Sequence, residues 1–173
     1  MRKAIIVILF FGLLLSGIAE AKSSKKGNLS VGAKVSMYNP PGDAGSTLLF
    51  EVTARYRFSD YVVAEMSVGW TQYSSGGQTV TLMPIQLNGE FHPMGRKVFD
   101  PYLGAGTGVY LQQVGETTDA TMGVQALAGL AFRPTSGFSF SAEVKYMLSD
   151  ISDADSGGLT FGGVVEGNWE MDL

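Results

Sequence analysis

The stretch Leu48-Leu49-Phe50-Glu51-Val52-Thr53-Ala54-Arg55-Tyr56-Arg57-Phe58 decides the fold. Leu48, Phe50, Val52, Ala54, Tyr56 and Phe58 recur at every second position, with Glu51, Thr53, Arg55 and Arg57 interleaved. A strand sends successive side chains to opposite faces, so this spacing predicts a β-strand with one apolar and one polar side. Ser59-Asp60 then reads as a turn.

The same period runs outward in both directions. Residues 29–38 place Leu29, Val31, Ala33, Val35 and Met37 opposite Ser30, Gly32, Lys34 and Ser36. Residues 61–73 set Val62, Ala64, Met66, Val68 and Trp70 against Glu65, Ser67, Gly69 and Thr71. Residues 101–111 alternate Leu103, Ala105, Thr107, Val109 and Leu111 with Tyr102, a column of glycines at 104, 106 and 108, and Tyr110. Residues 122–132, 138–148 and 159–173 repeat the pattern. In residues 78–91, Val80 and Leu82 fall out of phase with Met83, Ile85, Leu87 and Phe91, and a bulge near Pro84 is expected to reconcile the two halves. No segment past Gly27 carries apolar residues at helical spacing, so the chain reads as all-β with eight strands. The connections 39–45, 74–77, 112–120 and 149–158 are mostly the longer set and would share one end of a barrel, away from both termini.

Ahead of the strands, residues 1–21 have the form of a secretory signal: Arg2 and Lys3, an apolar run over 4–15, and Ala19-Glu20-Ala21 before the expected cleavage site at Lys22. The run is shorter than the roughly 20 residues a membrane helix needs. Residues 22–28 form a short N-terminal segment, and 29–173 the strand-forming domain. Loss of residues 1–21 removes Arg2, Lys3 and Glu20, leaving 10 basic and 15 acidic side chains and a formal charge of −5 on 152 residues. With no basic stripe beyond Lys22, Lys25 and Lys26, nucleic-acid binding is excluded. The absence of cysteine excludes a disulfide scaffold, a thiolate metal site and a cysteine-borne lipid anchor, and no cofactor or metal is expected.

Alternation suits a soluble barrel as well as a membrane one, with the apolar side turned inward in the first and outward in the second. Two further signals favour the membrane. The polar side is rich in Gly, Ser, Thr and Gln and poor in charge, unlike a water-facing surface. Aromatic residues Tyr38, Phe58, Tyr61, Trp70, Tyr73, Phe91, Tyr110, Phe132, Phe138 and Trp169 lie near strand ends, where a girdle would meet the membrane interfaces. Hydrocarbon offers no partner to backbone groups, so such a sheet must close on itself. The expected fold is therefore an eight-stranded antiparallel up-and-down transmembrane β-barrel.

The polar side then faces a narrow lumen, into which Lys34, Glu51, Arg55, Arg57, Glu65, Glu90, Glu143, Lys145 and Glu166 would point. Unpaired ions are costly there, so these should pair and act as a plug rather than a gate. If Phe58 lies opposite Val62 across the turn, Arg55 lies opposite Glu65. The only histidine, His92, sits beside Pro93 at the rim with no serine within four residues, which argues against a serine–histidine hydrolase. Asp150, Asp153 and Asp155 lack the rest of a calcium-loop pattern and read as a solvated loop. Gly104, Gly106 and Gly108 are followed by no helix, so they make room for facing side chains rather than cradle a phosphate.

With the leader, the eight segments and the run Pro101-Tyr102-Leu103-Gly104-Ala105-Gly106-Thr107-Gly108-Val109-Tyr110, the chain resembles the bacterial outer-membrane β-barrel domain superfamily, which includes the outer membrane protein A barrel and outer membrane protein W. The resemblance implies an outer-membrane, non-enzymatic barrel with a structural or surface role. The likeness to outer membrane protein W adds an alternative, a channel for small hydrophobic molecules. A soluble periplasmic ligand-binding barrel is a third reading. The implied partners are outer-membrane lipid, a small hydrophobic ligand, and the outer-membrane assembly machinery, to which the last strand presents Trp169, Met171 and Leu173 where such families commonly end in an aromatic.

Overall fold

The computed structural model describes residues 27–95 and 97–171, with side chains described over 29–95 and 97–169. The leader at 1–21, the lysines at 22, 25 and 26, and Leu173 lie outside the described residues. Eight strands follow one another: β1 (Gly27–Asn39), β2 (Thr47–Arg57), β3 (Val62–Ser75), β4 (Gln78–Phe91), β5 (Phe99–Val114), β6 (Thr117–Phe132), β7 (Phe138–Leu148) and β8 (Gly157–Met171). β1 begins two residues before the expected boundary, taking Gly27 and Asn28 from the N-terminal segment. Each strand pairs antiparallel with the next, and β8 returns to β1 from Gly27↔Met171 to Asn39↔Leu159, closing the barrel. Every strand has at least 11 residues, enough to cross the hydrocarbon at the tilt such barrels adopt.

The two faces separate as the alternation requires. Val52 is 62 % exposed, Leu103 62 % and Phe161 63 %, whereas Lys34, Glu65 and Lys145 on the other face are almost wholly enclosed. The apolar columns therefore point outward and the charges inward, the reverse of a soluble barrel.

Strand β4 contains no bulge. Its register with β5 is unbroken from Val80↔Val114 to Phe91↔Leu103, and the β3 pairs Val68↔Ile85 and Thr71↔Leu82 share one register. The ladder to β3 merely lapses over Met83 and Pro84, where the proline has no N–H to donate. Val80 and Leu82 keep phase and point into the barrel. There Leu82 packs with Tyr38, Leu49, Tyr110 and Met147, with Tyr73 against them, as an apolar layer at the end away from the termini.

Residues 112–120 are not a loop either. β5 runs to Val114 and β6 starts at Thr117, joined by Gly115-Glu116 with Gly115 at φ +59°. The β3–β4 turn, Gly76-Gly77, has φ +58° and +77°. Positive φ at the first or both central positions gives the hairpin turns whose twist matches the strands. The glycine made these turns tight and let the strands continue.

Glycines on the inner wall make space, as the column at 104–108 suggested. Tyr102 lies opposite Gly129, and a Cβ at Gly129 would come within 2.3 Å of the Tyr102 ring. Gly129→Ala should therefore displace that ring and destabilise the barrel by about 1–3 kcal/mol, read as a lowered urea midpoint of the detergent-folded protein. An unchanged midpoint would remove Tyr102 as a fixed packing element.

Candidate functional site

The inward charges meet around one arginine. The β2–β3 register sets Arg55 opposite Glu65, and the Arg55 Nε lies 2.8 Å from Glu65 Oε2. The same guanidinium reaches Glu166 at 2.6 Å, Glu90 at 3.2 Å and Glu143 at 3.4 Å. Four carboxylates from β3, β4, β7 and β8 thus share a planar cation with five donors, a task for which its fork is suited and an ammonium is not. The Arg55 guanidinium also lies 5.4 Å from the centre of the Tyr102 ring, whose hydroxyl donates to Glu143 at 3.0 Å.

Two lysines complete the layer. Lys34 donates to Glu143 at 2.5 Å and lies 3.9 Å from both Glu51 and Glu65. Lys145 donates to Glu51 at 2.6 Å and to Gln86 at 2.7 Å. From Gln86 a chain of neutral groups leads back: its amide donates to the Tyr110 hydroxyl, Tyr110 to Gln125, Gln125 to Asn88, and Asn88 to Glu65. These hydrogen bonds connect the ionic groups around the barrel, while Glu51 Oε2, Thr53 Oγ1, Glu90 Oε1, Asp100 Oδ1 and Ser141 Oγ are buried without a hydrogen-bond partner. Glu65, Glu90 and Glu143 bring carboxylate oxygens within 4.8 Å of one another. The positive charge among them is supplied by Arg55 and Lys34.

Toward the terminal end lies a second ionic layer. His92 follows the last residue of β4 at that end, as expected, but its side chain is enclosed, at 3 % exposure. Its Nδ1 lies 2.8 Å from Asp100 and its Nε2 3.2 Å from Glu90, while its ring stacks on Tyr102 at 5.1 Å. Asp100 also accepts from Arg133 and lies 3.7 Å from Arg57. Arg57 donates in addition to the Asp60 carbonyl at 2.8 Å. A cavity of about 360 Å³, bordered by Arg57, His92, Lys97, Arg133 and Glu166, opens from this layer.

All nine charges assigned to the lumen from the sequence face inward. Asp100, Arg133, His92 and Tyr102 were missed, although Glu90 and His92, like Asp100 and Tyr102, share a parity that points them the same way. Of the aromatics assigned to a girdle, Trp70, Phe91, Phe132, Phe138 and Trp169 are exposed on the outer face, and Phe58 and Tyr61 are exposed in the β2–β3 turn. Tyr38 and Tyr110 are instead buried, at 2 % and 0 % exposure, and Tyr73 packs against their layer. Their positions are in phase with Lys34, Asp100 and Glu65, so the strand period turns them inward however near a strand end they lie. In the last loop Asp153 accepts from the Asp155 N–H and Asp150 from the Ser152 N–H, so two of its three carboxylates hold their own backbone.

A closed eight-stranded barrel with apolar residues outside and a paired ionic interior is an integral membrane β-barrel. The chain belongs to the outer membrane protein beta-barrel domain family, whose model matches residues 8–165. Comparison with curated sequences gives no match. Among solved structures it is similar to neisserial surface protein A, with TM-score 0.62 and 16 % identity over 82 % of this chain and 96 % of that one. It is also similar to the N-terminal β-barrel domain of Pseudomonas aeruginosa OprF, with TM-score 0.62 and 18 % identity over 82 % and 97 %. The outer membrane enzyme PagL gives TM-score 0.54 and 15 % identity over 79 % and 97 %. At these identities the likeness is one of fold.

Proposed function

We propose that residues 1–21 export the chain and that it resides in the outer membrane as a non-enzymatic barrel with a structural or surface role. The observation that carries this is the filled lumen: Arg55, Lys34 and Lys145 bind their carboxylates across the barrel, beneath the apolar layer of Tyr38, Leu49, Leu82, Tyr110 and Met147. A conduit for small hydrophobic molecules needs a continuous apolar passage, and an ionic layer across the barrel opposes one. The apolar outer columns support lipid as the surrounding partner and oppose a soluble binding barrel. The sole histidine has carboxylates at both ring nitrogens, which supports the non-enzymatic reading over hydrolysis.

Both termini would face the periplasm, with the turns at 76–77 and 115–116 outside the cell. Planar bilayers containing the purified barrel should show no steady conductance above the lipid background, and the protein should partition with detergent-extracted outer membrane. A stable open level, or recovery in the soluble fraction, would overturn the reading.

A further inference from the structure

Strand β6 is longer than its partner on one side. β5 pairs with it as far as Val114↔Thr117, whereas pairing with β7 begins only at Val124↔Leu148. The Met122 carbonyl points away from β5, because it accepts from the Ile151 N–H in the loop beyond β7. By the two-residue period, Thr118 and Ala120 direct their N–H and C=O groups to the same side. Among the described residues nothing pairs with them there, and residues 117–120 are exposed. The result is a raw strand edge at the end of the barrel away from the termini.

That end is also uniformly acidic. Residues 39–46, 72–82, 111–123 and 149–158 hold Asp43, Glu116, Asp119, Asp150, Asp153 and Asp155 and not one Lys, Arg or His. A bare edge recruits an extended segment through main-chain hydrogen bonds, and the surrounding field selects its charge. Two copies of this chain would bring the same acids together, which opposes edge-to-edge pairing between them.

We propose that the Thr117–Thr121 edge of β6 docks an extended, lysine- or arginine-rich segment of another protein by strand addition. This rests on the reading above for its place outside the cell, but not for the binding itself. The mature protein in phospholipid nanodiscs, where both ends are open to solvent, tests the binding regardless of orientation; protease or label access on intact cells tests the orientation separately.

Three fluorescent nonapeptides serve as probes: alternating Thr and Lys, the same peptide N-methylated at alternate backbone nitrogens, and alternating Thr and Glu. The first should bind and the other two at least tenfold more weakly, since one lacks the donors and the other the charge. Thr118→Pro removes an N–H at a position where an edge tolerates proline and should weaken the first probe at least tenfold, with the heat-induced gel shift of the folded barrel unchanged. Glu116→Gln with Asp119→Asn should flatten the salt dependence. Equal binding of the N-methylated or the acidic peptide, indifference to Thr118→Pro, no binding of the first peptide, or edge-mediated dimerisation would each overturn the proposal.

Discussion

Arg55→Met should cost the folded barrel about 3–5 kcal/mol, the penalty for removing one partner from a buried ionic cluster. The replacement is close in length and apolar, so the loss is electrostatic: Glu65, Glu90, Glu143 and Glu166 all approach this guanidinium, and Lys34, 2.5 Å from Glu143 and 3.9 Å from Glu65, cannot replace all its contacts. Urea unfolding in detergent or lipid vesicles measures the loss. Adding Glu65→Gln and Glu166→Gln to the variant should recover a substantial part of it, because fewer negative charges then remain unneutralised. If the triple variant is no more stable than the single one, the arginine acts through packing on Tyr102 and not through charge.

Val52→Arg should cost about 2–4 kcal/mol, as expected for a cation on the lipid face near mid-membrane. Val52 lies in the middle of β2, opposite Ala33 on β1 and Val68 on β3, and is 62 % exposed. Gln113→Arg, at the exposed far rim, is the control and should leave the unfolding midpoint within about 0.5 kcal/mol of the parent. Equal effects at the two positions would mean that hydrocarbon does not contact the Val52 column.

The strand order, the faces and the Arg55–Glu65 pairing were legible because each follows from a period of two and a short turn. Nothing beyond counting is needed to put Glu65 across from Arg55 once Ser59-Asp60 is a turn. The same count, carried through, would have turned Tyr38, Tyr73 and Tyr110 inward; nearness to a strand end was a weaker indicator than parity. It would also have kept Val80 and Leu82 on the lumen side, where an apolar residue is tolerated because that layer lies beyond the ions. Contacts across the barrel were not legible. Lys145 meets Glu51 although 94 positions separate them, and that meeting depends on how far the sheet is staggered when it closes, which no single hairpin specifies. Asp100 and Arg133 lay just outside the expected strands, so of the layer they form with His92 only Arg57, Glu90 and the histidine itself were visible.

The seam between β1 and β8 sets the barrel's assembly apart from that of its hairpins. Seven of the strand contacts join neighbours in the chain and can zip up one after another, while the eighth joins Gly27–Asn39 to Gly157–Met171 and must wait for nearly the whole polypeptide. Closing a loop of that size is entropically slow. Until it happens, two unsatisfied edges face the bilayer at a cost that hydrocarbon does nothing to relieve. The final rate of insertion should therefore follow the last strand's arrival, and substitutions along the seam should slow maturation more than equal losses of stability elsewhere.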